Sequence, residues 1–205
     1  MDFVCLDFEG VLAPEIWIAI AEKTGIPELR VTTREIADYD VLMKMRLDIL
    51  ERHKLSMPAF QPVLQSIEPL PGARDFLDWL RPRHQVVILS DTFYEFVGPV
   101  LSKLGWPTMF CHRLETDAAG KITGYKARMP DHKRAAAAAL KALNFRVSAV
   151  GDSFNDTGMF SVADNAFFFN APDNVTRQFP QYPRVGSYEE LKTALTDASA
   201  KRRAA

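Results

Sequence analysis

The sequence predicts an α/β fold: a Rossmann-like parallel sheet flanked by helices, with a small helical cap inserted after the first strand. Three observations predict it. Short apolar runs alternate with helix-length stretches, the pattern of strands joined by right-handed helical crossovers. Three of those runs end in acidic or hydroxyl residues, at Asp7, at Ser90-Asp91 and at Gly151-Asp152, as do strands whose carboxyl ends meet at a ligand site. Between the first run and the next, positions 14–67 contain no convincing strand, far more chain than an ordinary connection needs. The chain thus divides into a catalytic core of 1–13 and 68–205 and a cap of 14–67.

The first strand is Phe3-Val4-Cys5-Leu6, followed by Asp7-Phe8-Glu9 and the loop residue Gly10. Pro14 can open a helix from Glu15 to Lys23, closed by Gly25 and Pro27. Helices follow from Asp40 to His53 and from Pro58 to Ile67, and Pro69-Leu70-Pro71-Gly72 returns the chain to the core. Next come a helix Ala73 to Leu80, a strand Gln85 to Leu89, a helix Phe93 to Leu104 and a short strand Thr108 to Cys111. Residues 113–129 read as a β-excursion turning at Ala119-Gly120. Asp131 can cap the alanine-rich helix 132–143. Arg146 to Val150 is a strand, Asn155 to Val162 a helix, and Ala166 to Phe169 a strand. A last helix, Tyr188 to Ala198, precedes a polar tail.

Composition bounds the function. A hydrophobic content of 47% in 205 residues supports a full core. A net charge of -1 argues against a nucleic-acid surface. No leader-like segment and no bilayer-length apolar run is evident, so the expectation is a cytoplasmic protein without membrane contact. Cys5 and Cys111 lie in apolar strands and read as reduced core thiols. His53, His84, His112 and His132 lack ligand spacing and read as structural or exposed, and Trp17, Trp79 and Trp106 as packing residues.

Two acids one residue apart at a strand end project to the same side of the backbone, so Asp7 and Glu9 form a pair. Ser90-Asp91-Thr92 and Gly151-Asp152-Ser153-Phe154-Asn155-Asp156 follow two further strands and can converge on it, and Lys133 opens a helix between them. Carboxylates without clustered His or Cys suit a hard cation such as Mg²⁺. Lysine, hydroxyl and carboxylate-held Mg²⁺ together suit a phosphoryl dianion, which leaves Asp7 to act as a nucleophile. Each residue alone has a plainer reading: Ser90 as a strand-end cap, Lys133 as a solvated side chain, Asp152 or Asp156 as a helix cap. Their joint order favours the site.

In that order the motifs resemble those of the haloacid dehalogenase superfamily. The first is Asp-x-Asp near the amino terminus, here Asp7-Phe8-Glu9. The others are a strand-ending serine, here Ser90, a lysine at a helix start, here Lys133, and Gly-Asp-x-x-x-Asp, here Gly151 to Asp156. The cap after the first motif and Asn155 are similar to the phosphoserine phosphatase branch, as are a cap glutamate at Glu15 and an aromatic and an arginine seven residues apart at Tyr39 and Arg46. Two departures stand out: Glu9 where the branch usually has Asp, and Asp91 where a Gly usually follows the serine. Both resemble a bacterial subgroup that also moves phosphate from phosphoserine to homoserine.

The resemblance implies a phosphoserine phosphatase working through an aspartyl phosphate, with homoserine as a second acceptor. Its small-molecule partners are then phosphoserine and homoserine; the oligomeric state, a homodimer included, stays open. Mg²⁺ is implied at Asp7, the main-chain carbonyl of Glu9, and Asp152. Asp156 either joins the metal shell or orients Lys133. Glu9 is implied as general acid and base, and Ser90 and Lys133 as holders of the phosphoryl oxygens. Asn155 fixes the phosphate or the substrate, and Asp91 belongs to the same substrate wall. Independently of the resemblance, helical spacing sets Arg46 on the apolar stripe of Leu42, Ile49 and Leu50, away from Lys44, Asp48 and Glu51. A buried cation needs a partner, and a guanidinium can grip an α-carboxylate bidentately while Glu15 meets the α-ammonium. The plainer readings are that Glu15 favours a helix N-terminus and that Arg46 pairs within the cap or reaches solvent. Two rival functions remain: a phosphatase of the same superfamily acting on another small ester, and a non-enzymatic module whose Asp7 only accepts phosphate.

Overall fold

The computed structural model describes residues 2–33, 35–36 and 38–200. Positions 34 and 37 of the expected cap and the polar tail from 201 onward lie outside the described residues. The elements are β1 (Asp2–Leu6), α1 (Ile16–Thr24), a 3₁₀ turn (Pro27–Arg30), α2 (Tyr39–Arg52), α3 (Met57–Ser66), α4 (Ala73–Leu80), β2 (Gln85–Phe93), α5 (Tyr94–Lys103), β3 (Met109–Thr116) and β4 (Ile122–Lys126). They continue with α6 (His132–Ala142), β5 (Arg146–Gly151), a 3₁₀ turn (Phe154–Asp156), α7 (Thr157–Phe160), β6 (Asn165–Phe169), α8 (Asp173–Thr176), β7 (Arg184–Val185) and α9 (Tyr188–Ala200).

The strands form one seven-stranded sheet in the order β4-β3-β2-β1-β5-β6-β7. All neighbours are parallel except the β3–β4 hairpin. The period-2 alternation of a strand feeds both faces. Val4, Leu6, Ile88 and Val150 enter one apolar cluster, while Cys5, Val87, Leu89, Val147 and Ala149 enter the other. Leu6 lies level with Ile88 on one side and Val150 on the other. The apolar stretches of the three central strands therefore end level with one another, and the polar residues that follow them share one edge. Cys5 and Cys111 are buried free thiols, as expected.

Between β1 and α4 the chain is helical. Its apolar residues join the first core cluster instead of forming their own: Trp17 and Phe60 meet Phe96 of α5 edge-on. The hairpin grips the same helices from the other side. Met57 N–H donates to the Gly120 carbonyl (2.8 Å), Lys121 pairs with Glu51 (2.8 Å), and Tyr125 Oη donates to Asp40. Asp38 caps α2 by accepting from Asp40 and Val41 N–H.

Several elements differ from the expectation. β2 runs through Ser90-Asp91-Thr92 to Phe93 instead of stopping at Leu89, and its register with β3 shifts over that stretch. β3 is continuous across 109–116 because β4 folds back on it. The helix expected at Asn155 to Val162 is a 3₁₀ turn followed by one turn of α7, since Asp156 folds back onto the main chain of Asp152 and Ser153. Asp131 does not cap α6 with its side chain; it sits in the left-handed region at φ 45°. The short α8 and two-residue β7 escape any periodicity test.

Candidate active site

The ends of β1, β2 and β5 and the start of α6 meet as their order predicts. Asp7, Glu9, Glu15, Tyr39, Arg46, Ser90, Asp91, Asp152 and Asn155 line one cavity of about 50 Å³. Lys133 and Asp156 complete it through Asp7. A second cavity of about 440 Å³ adjoins it across Tyr39, Asp91 and Asn155, and Lys133, His112 and His132 line this one.

Asp7 is anchored by its main chain, which donates to the Val150 carbonyl (2.8 Å). Its Oδ1 accepts from Phe8 N–H (2.7 Å) and lies 3.0 Å from Lys133 Nζ. Lys133 Nζ also donates to Asp156 Oδ1 (2.8 Å) and stands 3.7 Å from Asp91 Oδ2. Burial works against the Lys133 ammonium, yet Asp156, Asp7 and Asp91 hold its pKa well above the ordinary value. Burial, then the like charges of Asp156 and Asp152, push the Asp7 carboxyl well above the carboxylate range, while Lys133 pulls it down.

The donor set fits a hard divalent cation. Carboxylate oxygens of Asp7, Asp152 and Asp156 come within 4.8 Å of one another, and all are the oxygen donors Mg²⁺ takes. A Cβ on Gly10 would stand 2.3 Å from Asp152 Oδ2, so only glycine lets that carboxylate turn toward Asp7. Asp156 is already committed: Oδ1 holds Lys133, and Oδ2 accepts from the main-chain N–H of Asp152 (2.9 Å) and Ser153 (3.0 Å). Gly151 permits this, since a Cβ there would lie 2.2 Å from Asp156 Cγ. Of the two roles left open for Asp156, its hydrogen bonds favour orienting Lys133.

Glu9 lines the same cavity but lies outside this carboxylate trio. Its Oε1 accepts from Ile16 N–H (2.7 Å), at the first residue of α1. Burial and the neighbouring charge of Glu15 push its pKa up to about 8, against the pull of the Ile16 N–H, Arg46 and Lys133. A carboxyl that keeps its proton at neutral pH can serve as a general acid.

Arg46 is 4% exposed. Its guanidinium carbon lies 4.4 Å from the Trp17 ring centroid, Nη2 donates to the Val31 carbonyl (2.9 Å), and Nε has no hydrogen-bond partner among the described residues. Burial lowers its pKa to about 10, while Tyr39, Glu9 and Glu15 act the other way. A desolvated cation–π contact returns about 2 kcal/mol, less than the several kcal/mol needed to bury an ion without a partner. With Nε unengaged, the guanidinium can still donate to an anion in the cavity. Tyr39 spends its hydroxyl on the core, donating to the Asp91 carbonyl (2.6 Å). Ser90 Oγ accepts from Thr92 N–H (3.3 Å), and Asn155 Nδ2 donates to Asp91 Oδ2 (2.6 Å).

Three residues make contacts that sequence reasoning did not foresee, although Trp17 is also the packing residue expected. Trp17, read as packing, is the shelf under Arg46. His112 and His132, read as structural or exposed, are each 4% exposed and converge on Asp91. The available signals were positional: His132 directly precedes Lys133, and His112 lies in the strand beside β2.

The model of the haloacid dehalogenase-like hydrolase family matches residues 1–164. The chain is 55% identical over 201 residues to "Phosphoserine phosphatase ThrH" of Pseudomonas aeruginosa, covering 98% of each. It is also 55% identical over 199 residues to "Phosphoserine phosphatase" of Pseudomonas syringae pv. tomato, covering 97% of this chain and 84% of that one. Among solved structures, a substrate-bound phosphoserine phosphatase complex superposes with a TM-score of 0.72 at 21% identity, over 94% of this chain and 97% of that one.

Proposed function

The chain belongs to the haloacid dehalogenase-like hydrolase family, and on that premise we propose that it hydrolyses phosphoserine through a phosphoaspartate at Asp7 and can pass the phosphoryl group to homoserine. The observation that carries this reading is the shared cavity: the nucleophile candidate Asp7 and the anion-receiving Arg46 line the same small space. Phosphoserine carries a phosphoryl group for one end of that space and an amino-acid zwitterion for the other.

Asp7 attacks phosphorus, and the serine oxygen leaves in line. Lys133, held by Asp156, and Ser90 bind the phosphoryl oxygens. Arg46 takes the substrate carboxylate and Glu15 its ammonium. Glu9, protonated at neutral pH, gives its proton to the serine oxygen and then, as carboxylate, takes one from the acceptor. Asp7, Asp152 and the main-chain carbonyl of Glu9 would hold a Mg²⁺ ion, which would neutralise phosphoryl charge when bound. Water as acceptor gives hydrolysis, and homoserine gives transfer.

Residues 14–67 act as the cap. A cavity of about 50 Å³ is well below the several hundred Å³ of ordinary small-molecule pockets, so the cap opens to admit substrate and closes to exclude water. That exclusion is what lets an alcohol compete for the phosphoenzyme. The test is incubation with phosphoserine and Mg²⁺, with and without homoserine, quantifying inorganic phosphate and phosphohomoserine. Phosphate release that depends on phosphoserine, with phosphohomoserine when homoserine is present, is the expected result. No phosphate from phosphoserine overturns the reading, and phosphate without phosphohomoserine removes the transfer branch.

A further inference from the structure

Three side chains that the mechanism leaves idle meet between the two cavities. Asp91 Oδ1 lies 3.0 Å from His132 Nε2 and 3.4 Å from His112 Nε2, and the two imidazole centroids are 4.7 Å apart. Its other oxygen, Oδ2, accepts from Asn155 Nδ2 (2.6 Å) and lies 3.7 Å from Lys133 Nζ.

A carboxylate with two imidazoles is also a transition-metal ligand set, and the tautomers decide between the two readings. Arg128 N–H donates to His112 Nδ1 (3.2 Å). That nitrogen therefore holds the lone pair, and the proton of the neutral ring is on Nε2. His112 thus donates to Asp91 and has no lone pair there for a metal. His132 Nδ1 is buried and meets no hydrogen-bond partner among the described residues. A proton there would be an unsatisfied buried donor, so His132 too carries its proton on Nε2 and donates. Burial also lowers the His132 pKa, in the sense that keeps the ring neutral, although Asp91 acts to raise it.

We infer that Asp91, fixed as an anion by the N–H groups of His112 and His132, is a positioning residue that orients the Asn155 amide and tethers the Lys133 ammonium at the phosphoryl end of the cavity. An ionised carboxylate only accepts, so it meets Asn155 only through Nδ2. The amide oxygen then turns to Ser153 Oγ, which donates to it, and the second N–H of the amide is left for the phosphoryl group. An Asn at position 91 presents its own N–H₂ to Asn155 and Lys133 when its oxygen faces the imidazoles, and the orientation is lost. The inference deepens the proposed function and rests on it.

The test measures kcat and KM separately for phosphoserine with Mg²⁺ in wild type, Asp91→Asn, His132→Gln and His132→Leu. Nitrogen-15 spectra of the imidazoles and side-chain amides are recorded in parallel. Displacing two groups at the reacting phosphoryl lowers kcat of Asp91→Asn by about 100-fold, with KM within about threefold. His132→Leu loses about tenfold, and His132→Gln, whose amide N–H reaches the same carboxylate, recovers to within about threefold of wild type. His112 shows the Nε2–H tautomer in wild type, and the Asn155 amide signal shifts in Asp91→Asn. An unchanged kcat in Asp91→Asn, equal losses in His132→Gln and His132→Leu, or an Nδ1–H His112 overturns the inference. Wild type that leaves phosphoserine untouched removes the proposed function instead, and the tautomer and amide signals then still decide the geometry.

Discussion

Asp7→Asn turns over phosphoserine at least about 10⁴-fold more slowly than wild type, as loss of a covalent nucleophile does elsewhere. The protein carries no phosphoryl group after an acid quench. The fold has no reason to fail. Asparagine keeps an oxygen for Phe8 N–H and Lys133, the two partners of Asp7 Oδ1, and the main-chain bond to Val150 is untouched. The substitution even relieves a conflict. Burial and the charges of Asp156 and Asp152 raise the Asp7 pKa in the folded chain. That raised pKa lowers stability as pH rises above the unfolded value, and a neutral amide escapes it. Metal-free Asp7→Asn at neutral pH therefore melts no lower than wild type while losing activity. Steady-state kinetics, intact mass and a melting curve on one preparation check all three points. Retained turnover within about 100-fold of wild type would mean that phosphorus goes directly to water.

How much of this was legible follows from which forces act locally. The ends of β1, β2 and β5 could be read because a short apolar run followed by Asp or Ser-Asp is a local signal, and parallel strands align such ends. Arg46 could be read as a buried cation because helical period alone places it beside Leu42 and Ile49. The Trp17 shelf could not, since it needs the tertiary meeting of residues from α1 and α2. The imidazole pair on Asp91 could not, since it needs β3 beside β2 and the start of α6 packed against β2. Nor could the hydrogen bonds that engage both Asp156 oxygens, to Lys133 and to the main chain of Asp152 and Ser153, which need the folded turn. The polar stretch Ser90-Asp91-Thr92 was placed just past the end of its strand because strand preference is set by neighbours more than by residue type, and β2 in fact runs on through it to Phe93.

Glu9→Gln separates the two halves of the reaction and raises stability while it lowers activity. Gln is close in shape and keeps an oxygen for the Ile16 N–H that now bonds Glu9. It cannot donate a proton to a serine alkoxide, so kcat for phosphoserine falls by about 10² to 10⁴, the usual worth of a general acid. With p-nitrophenyl phosphate the leaving group needs no acid, so Asp7 is still phosphorylated. The missing base then slows attack by water, and p-nitrophenol appears as a burst of about one equivalent per site. The stability change follows from linkage. The Glu9 pKa is about 8 in the folded chain, up from 4.5. Below the unfolded value both states hold the proton and nothing changes. Between the two values unfolding releases it, so stability falls as pH rises; above about 8 the loss is complete. The loss is at most about 5 kcal/mol, less whatever solvent screens at the cavity wall. Gln has no proton to release. In chelator, the melting temperature of Glu9→Gln therefore gains on wild type by roughly 5 °C or more between pH 5 and pH 8. A parallel pair of melting curves would show that Glu9 titrates normally, and its role as an acid at neutral pH would go with it.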